Sequence, residues 1–156
     1  MKRYLFTLLL SMLLCIPAWG QRFPVTVVGI TDGDTFTVIN RDKLQLKVRI
    51  IGIDAPEKNQ PFGNKAKQAL SDLIYRKTID IDVQYQEKWG RYAAKVYTSD
   101  GRDVALLMLQ AGMAWHNADY DKTAAYKKAQ EAARGAKTGL WSDAHPEAPW
   151  EYRKKH

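Results

Sequence analysis

Val48-Arg49-Ile50-Ile51-Gly52-Ile53-Asp54-Ala55-Pro56-Glu57 is the stretch on which the reading of this chain turns. Leading into it, Leu44, Leu46, Val48 and Ile50 alternate with Gln45, Lys47, Arg49 and Ile51, the period of a half-buried strand over residues 44–53. Pro56 stops that strand, and the stretch brings Arg49, Asp54 and Glu57 to its end. Arg49 and Asp54 are separated by an odd number of residues, so a regular strand would point them to opposite faces. Gly52 lies between them and is expected to mark a bulge that re-aims the side chains after it.

Working outward, residues 25–30 and 35–39 read as two more strands, and Asn40-Arg41-Asp42 supplies the hairpin turn to the third. Two prolines and a glycine keep residues 54–63 out of helix. Ala66, Ala69, Leu70, Leu73 and Ile74 then recur at helical spacing, giving an amphipathic helix over 64–76. Strands follow over 79–83 and 91–99, and helices over 104–110 and 123–137. The pattern predicts one α+β domain. A closed five-stranded barrel with three helices would remove the edges that such short strands otherwise expose.

A chain of 156 residues fits a single domain with one core. Hydrophobic residues at 46% and charged residues at 26% are ordinary globular values, which excludes a disordered tail, a collagen and a polytopic membrane protein. The net charge of +7 and pI near 9.5 suit a polyanionic partner. Met1-Lys2-Arg3, the apolar run over 5–16 and Ala18-Trp19-Gly20 read as a signal peptide over residues 1–20. The expected product is an exported mature domain over 21–156, periplasmic or secreted, with no membrane span after cleavage. Its core covers about 25–141 and a basic tail spans 142–156. The single cysteine, Cys15, falls in the leader, so no disulfide is expected, and His116, His145 and His156 lack zinc-ligand spacing.

Asp32-Gly33-Asp34-Thr35, between the first two strands, is by itself a common turn. It lacks the further acidic residues of an EF-hand loop. Its pairing with Asp54-Ala55-Pro56-Glu57 changes its meaning. A small barrel would bring both acidic strand ends together, and crowded carboxylates repel unless a cation or guanidinium sits among them. Oxygen donors without His or Cys favour a hard ion, Ca²⁺ or Mg²⁺. Arg49 and Arg91 supply guanidinium groups that bind phosphate in two places and offset the charge of a five-coordinate phosphorus.

Ile30-Thr31-Asp32-Gly33-Asp34-Thr35, the stretch over 48–57 and Trp89-Gly90-Arg91 together resemble the three signature segments of the staphylococcal nuclease (thermonuclease) family, in that order. Gly139-Leu140-Trp141 resembles the closing segment, so the likeness covers roughly 25–141. The resemblance implies an exported bacterial member with an OB-fold barrel and three helices, cleaving DNA and RNA in a Ca²⁺-dependent manner to leave 3′-phosphate ends. It implies Asp34, Asp54 and the carbonyl of Ala55 as metal ligands, with Asp32 as a further acidic residue near the metal. By the same match Glu57 is the general base and Arg49 and Arg91 bind phosphate. Lys88, Trp89 and Tyr120 are assigned to substrate. Trp89 stands where the family commonly has tyrosine, exchanging a phenolic hydrogen bond for a stacking surface.

A monomer without a stable protein partner is expected. The alternative reading is a non-catalytic OB-fold module that binds single-stranded nucleic acid or another polyanion. That module would explain the charge and Trp89, but not the joint presence of Asp34, Asp54, Glu57, Arg49 and Arg91. A protein for anionic lipid or glycan rests on charge alone.

Overall fold

The computed structural model describes residues 21–156; the expected leader over 1–20 lies outside them. Strands β1 (Phe23–Ile30), β2 (Thr35–Ile39) and β3 (Gln45–Ile50) form an antiparallel meander. β3 runs parallel to β6 (Tyr92–Tyr97), which pairs antiparallel with β5 (Thr78–Gln86), and β5 returns to β1. The barrel closes in the order β1-β2-β3-β6-β5, the OB-fold arrangement of an α+β protein. Alternate residues Val25 and Val27, Phe36 and Val38, Val48 and Ile50, and Ile79 and Ile81 fill its interior. Burying each such side chain stabilises the fold by about 1.5–3 kcal/mol before entropy is counted.

The three expected helices are present as α1 (Gly63–Ile74), α2 (Val104–Gln110) and α3 (Ala124–Gly135). α1 buries Ala66, Leu70 and Ile74, one stripe at four-residue spacing. Asp103 caps α2 by accepting from the Leu106 N–H at 3.2 Å, and it also accepts the Tyr126 hydroxyl of α3 at 2.6 Å. Burial, then this bond, hold the Tyr126 hydroxyl well above its ordinary pKa. No helix of the described residues is long and apolar enough to cross a membrane.

The structure departs from the expected third strand. It breaks at Ile51-Gly52, where Gly52 turns at φ +83°, and restarts as β4 (Ile53–Asp54). β4 pairs with β7 (Trp115–His116) in a separate two-stranded ribbon. The odd spacing of Arg49 and Asp54 is therefore resolved by a turn at Gly52, and both side chains reach the same side of the barrel. A fourth helix, α4 (Pro149–Lys155), lies in the expected basic tail. It opens with Pro149 in its first turn, where proline loses no hydrogen bond. α4 is docked: Ala148 and Pro149 are buried, and Trp150 meets Trp115 edge-on at 5.6 Å between ring centroids.

Candidate active site

The β1–β2 turn positions the first acidic pair. One oxygen of Asp32 accepts the backbone N–H groups of Asp34 at 3.0 Å and Thr35 at 2.8 Å, which shapes the turn. Gly33 permits a close approach: a Cβ there would stand 2.7 Å from the Cβ atoms of both Ala55 and Ala66. The turn can therefore press against both the 54–57 segment and α1. Asp34 is buried, its Oδ1 accepting the Thr35 hydroxyl at 2.8 Å and its Oδ2 the Ala55 N–H at 3.0 Å. Burial first, then the neighbouring Asp32 and Asp54, push the Asp34 carboxyl up to about 7, against the pull of Arg49 and the Ala55 N–H.

β4 delivers Asp54, only 1% exposed, and the chain then turns outward to half-exposed Glu57. Arg49 from β3 reaches over both aspartates, 3.9 Å from Asp34 Oδ1 and 3.5 Å from Asp54 Oδ1, and 3.7 Å from Glu87 Oε1. Burial would lower its pKa, but Asp34, Asp54 and Glu87 more than offset this and hold it above the ordinary value. Arg91 places Nη2 2.6 Å and Nε 2.7 Å from Glu87 Oε2. Glu87 thus links the two arginines.

Seven expected residues, Asp32, Asp34, Arg49, Asp54, Ala55, Glu57 and Arg91, line one cleft of 190 Å³ together with Thr35 and Arg153. Lys88, Trp89 and Tyr120 do not line it. Lys88 and Trp89 sit on the β5–β6 turn, where Trp89 is 88% exposed. Tyr120 borders an adjoining groove of 530 Å³ that also touches Arg49, Asp54 and Arg153.

Sequence reasoning missed two members. Glu87 was visible as an acidic residue four before Arg91, around a Trp-Gly turn. Arg153 lies in the expected basic tail over 142–156, to which the sequence assigns no role, yet its guanidinium grips Asp54 and Glu57. Nη2 is 2.7 Å from Asp54 Oδ2, and Nη1 is 3.1 Å from Asp54 Oδ1 and 2.7 Å from Glu57 Oε1. The hydrogen bonds to Asp54 lead the causes that raise its pKa, opposed by burial and reinforced by Glu57.

Among the described residues, no three His, Cys, Asp or Glu side chains converge closely enough to hold a metal by themselves. The donor chemistry nevertheless fits a hard cation. Asp34 and Asp54 are both buried, burial and then the charge of Asp32 push Asp34 toward protonation, and a backbone carbonyl would complete an all-oxygen set. Asp34, Asp54 and Ala55 are the residues that would hold it.

Barrel and site together define a nuclease of the OB-fold type. A family model described as "Staphylococcal nuclease homologue" matches residues 47–143. The chain is 36% identical to an uncharacterized endonuclease of Haemophilus influenzae over 155 residues, covering 99% of this chain and 86% of that protein. It is 34% identical to a micrococcal nuclease of Shigella flexneri, covering 92% of this chain and 87% of that one. Protein ParB of Escherichia coli is 36% identical over 149 residues. The chain belongs to the staphylococcal nuclease family, and its class is that of a hydrolase acting on nucleic acid.

Proposed function

We propose that this protein is a Ca²⁺-dependent endonuclease that hydrolyses DNA and RNA and leaves 3′-phosphate ends. The observation that carries this reading is the convergence of two buried carboxylates, an outward-facing glutamate and three guanidinium groups on one 190 Å³ cleft. A bound cation would supply positive charge against a phosphate oxygen, offsetting charge that grows as phosphorus becomes five-coordinate. Asp34, Asp54 and the Ala55 carbonyl would hold it, and Asp32 would add negative charge beside them.

Glu57 orients a water for in-line attack and accepts its proton, since a carboxylate at the cleft edge can reach both water and solvent. Arg49 and Arg91 present planar forks to the phosphoryl oxygens, and Arg91, the more exposed of the two, faces the departing 5′-oxygen. Glu87 lies between the two forks, paired closely with Arg91 and more loosely with Arg49. Lys88 adds charge and Trp89 a stacking face for substrate, while Tyr120 borders the groove along which the strand would continue. A module that only binds polyanions would be weakened by Asp34 and Asp54 beneath its surface, which disfavours the binding-only reading.

Residues 1–20 are proposed as a signal peptide, so an exported product should begin at Gln21, a point that N-terminal sequencing decides. The reaction is tested by digesting single-stranded DNA and RNA with Ca²⁺ or chelator and analysing the ends. Ca²⁺-dependent fragments that end in 3′-phosphate are expected. Fragments with 5′-phosphate, or cleavage indifferent to chelator, would contradict the mechanism.

A further inference from the structure

The arrangement of Arg153 bears on how the site takes up its cation. Its fork engages both oxygens of Asp54, the more deeply buried of the two carboxylates expected to bind metal, and its Nη1 also reaches Glu57. The contact is not a loose tail brushing the surface. α4 is fixed by buried Ala148 and Pro149, by Trp150 against Trp115, and by the Gln60 side chain, which donates to the Glu147 carbonyl at 2.7 Å. Arg153 therefore stands with its charge where two carboxylates would otherwise repel each other. A cation binding Asp54 must share oxygens already engaged by that guanidinium and lie close to its charge, which like-charge repulsion opposes.

We propose that Arg153 is an internal counter-cation of the Asp54–Glu57 site, and that a divalent cation binds by displacing it. The inference rests on the cation reading above. Two consequences follow from linkage: Arg153 stabilises the cation-free protein, and it weakens cation affinity by the free energy of the contact that must be broken. Lys154, the neighbour on the same helix, pairs with Glu151 instead and offers the matching control for charge without contact.

The test is Ca²⁺ titration by calorimetry, with thermal unfolding in Ca²⁺ and in chelator, on the full mature chain. Arg153→Gln is expected to bind Ca²⁺ about tenfold more tightly than wild type and to lose more of its Tm in chelator than in Ca²⁺. Arg153→Lys, which keeps the charge but not the fork, should fall between, and Lys154→Gln should stay within about twofold of wild type. Affinity that is unchanged or weaker in Arg153→Gln overturns the proposal while leaving the cation reading intact. An equal Tm loss in both conditions would mark a merely structural contact and overturn it as well. Absence of Ca²⁺ binding in every variant would overturn both the proposal and the cation reading.

Discussion

Arg153 and Asp54 lie 99 residues apart and meet in a two-point ion pair, with Nη2–Oδ2 at 2.7 Å and Nη1–Oδ1 at 3.1 Å. Arg49, only five residues from Asp54, approaches the same carboxylate no closer than 3.5 Å. The tightest guanidinium contact on the buried aspartate thus comes from the end of the chain. Barrel strands build the carboxylate site, while the last helix closes it.

The two barrel arginines should act on the transition state rather than on substrate capture. Arg49→Ala and Arg91→Ala are each expected to lower kcat by about 10²-fold or more in steady-state kinetics. Arg49→Lys should not restore the rate, because an ammonium cannot reproduce the planar fork. A loss confined to KM would show that the arginines only bind.

Asp34 gives the cation-free protein a pH dependence. Its carboxyl is pushed up to about 7 in the fold, above the ordinary 3.8, so the native state holds a proton that the unfolded chain has released. Stability in chelator should therefore fall as pH rises from about 4 through 7 and level off above, by on the order of a few kcal/mol. Asp34→Asn should flatten that decline, as followed by urea unfolding at several pH values. A wild-type profile that rises across this range would contradict the assignment.

Gly33 is the steric hinge of the site. A methyl group there meets the Cβ atoms of Ala55 and Ala66 at 2.7 Å, and neither is the far end of a flexible side chain. Gly33→Ala should cost about 1–3 kcal/mol in denaturant unfolding and misplace Asp34. A change below about 0.5 kcal/mol would mean that the turn has room to relax.

Trp89 separates binding from folding. It is 88% exposed, so Trp89→Ala should change stability by less than about 0.5 kcal/mol. If it stacks on a base, the same substitution should weaken single-stranded DNA binding by about 1–3 kcal/mol in fluorescence anisotropy. Unchanged affinity would remove Trp89 from the substrate surface.

Much of the barrel is legible in local chemistry. The alternation through Leu46, Val48 and Ile50 marks β3, and the stripe of Ala66, Leu70 and Ile74 marks α1, because each period matches one buried face. The acidic turns at Asp34 and Asp54 are legible because carboxylates at two strand ends must share the barrel rim. β4 and β7 are not, since strands of two residues carry no period. α4 escapes for another reason. Seven residues bounded by proline and ending in Arg153-Lys154-Lys155 resemble a solvated tail, and only the tertiary contact with Asp54 and Glu57 gives Arg153 its place. Pro149 in a first turn with Trp150 and Arg153 three apart was the available signal.

The account stands most directly on cleavage of single-stranded DNA by the mature chain, compared with Glu57→Ala and Arg91→Ala in Ca²⁺ and in chelator. It predicts cleavage that requires Ca²⁺ and falls by about 10²-fold or more in each variant, with Ca²⁺ binding retained in both. Salt-sensitive DNA binding without cleavage under any metal, or full activity in Glu57→Ala, would contradict it.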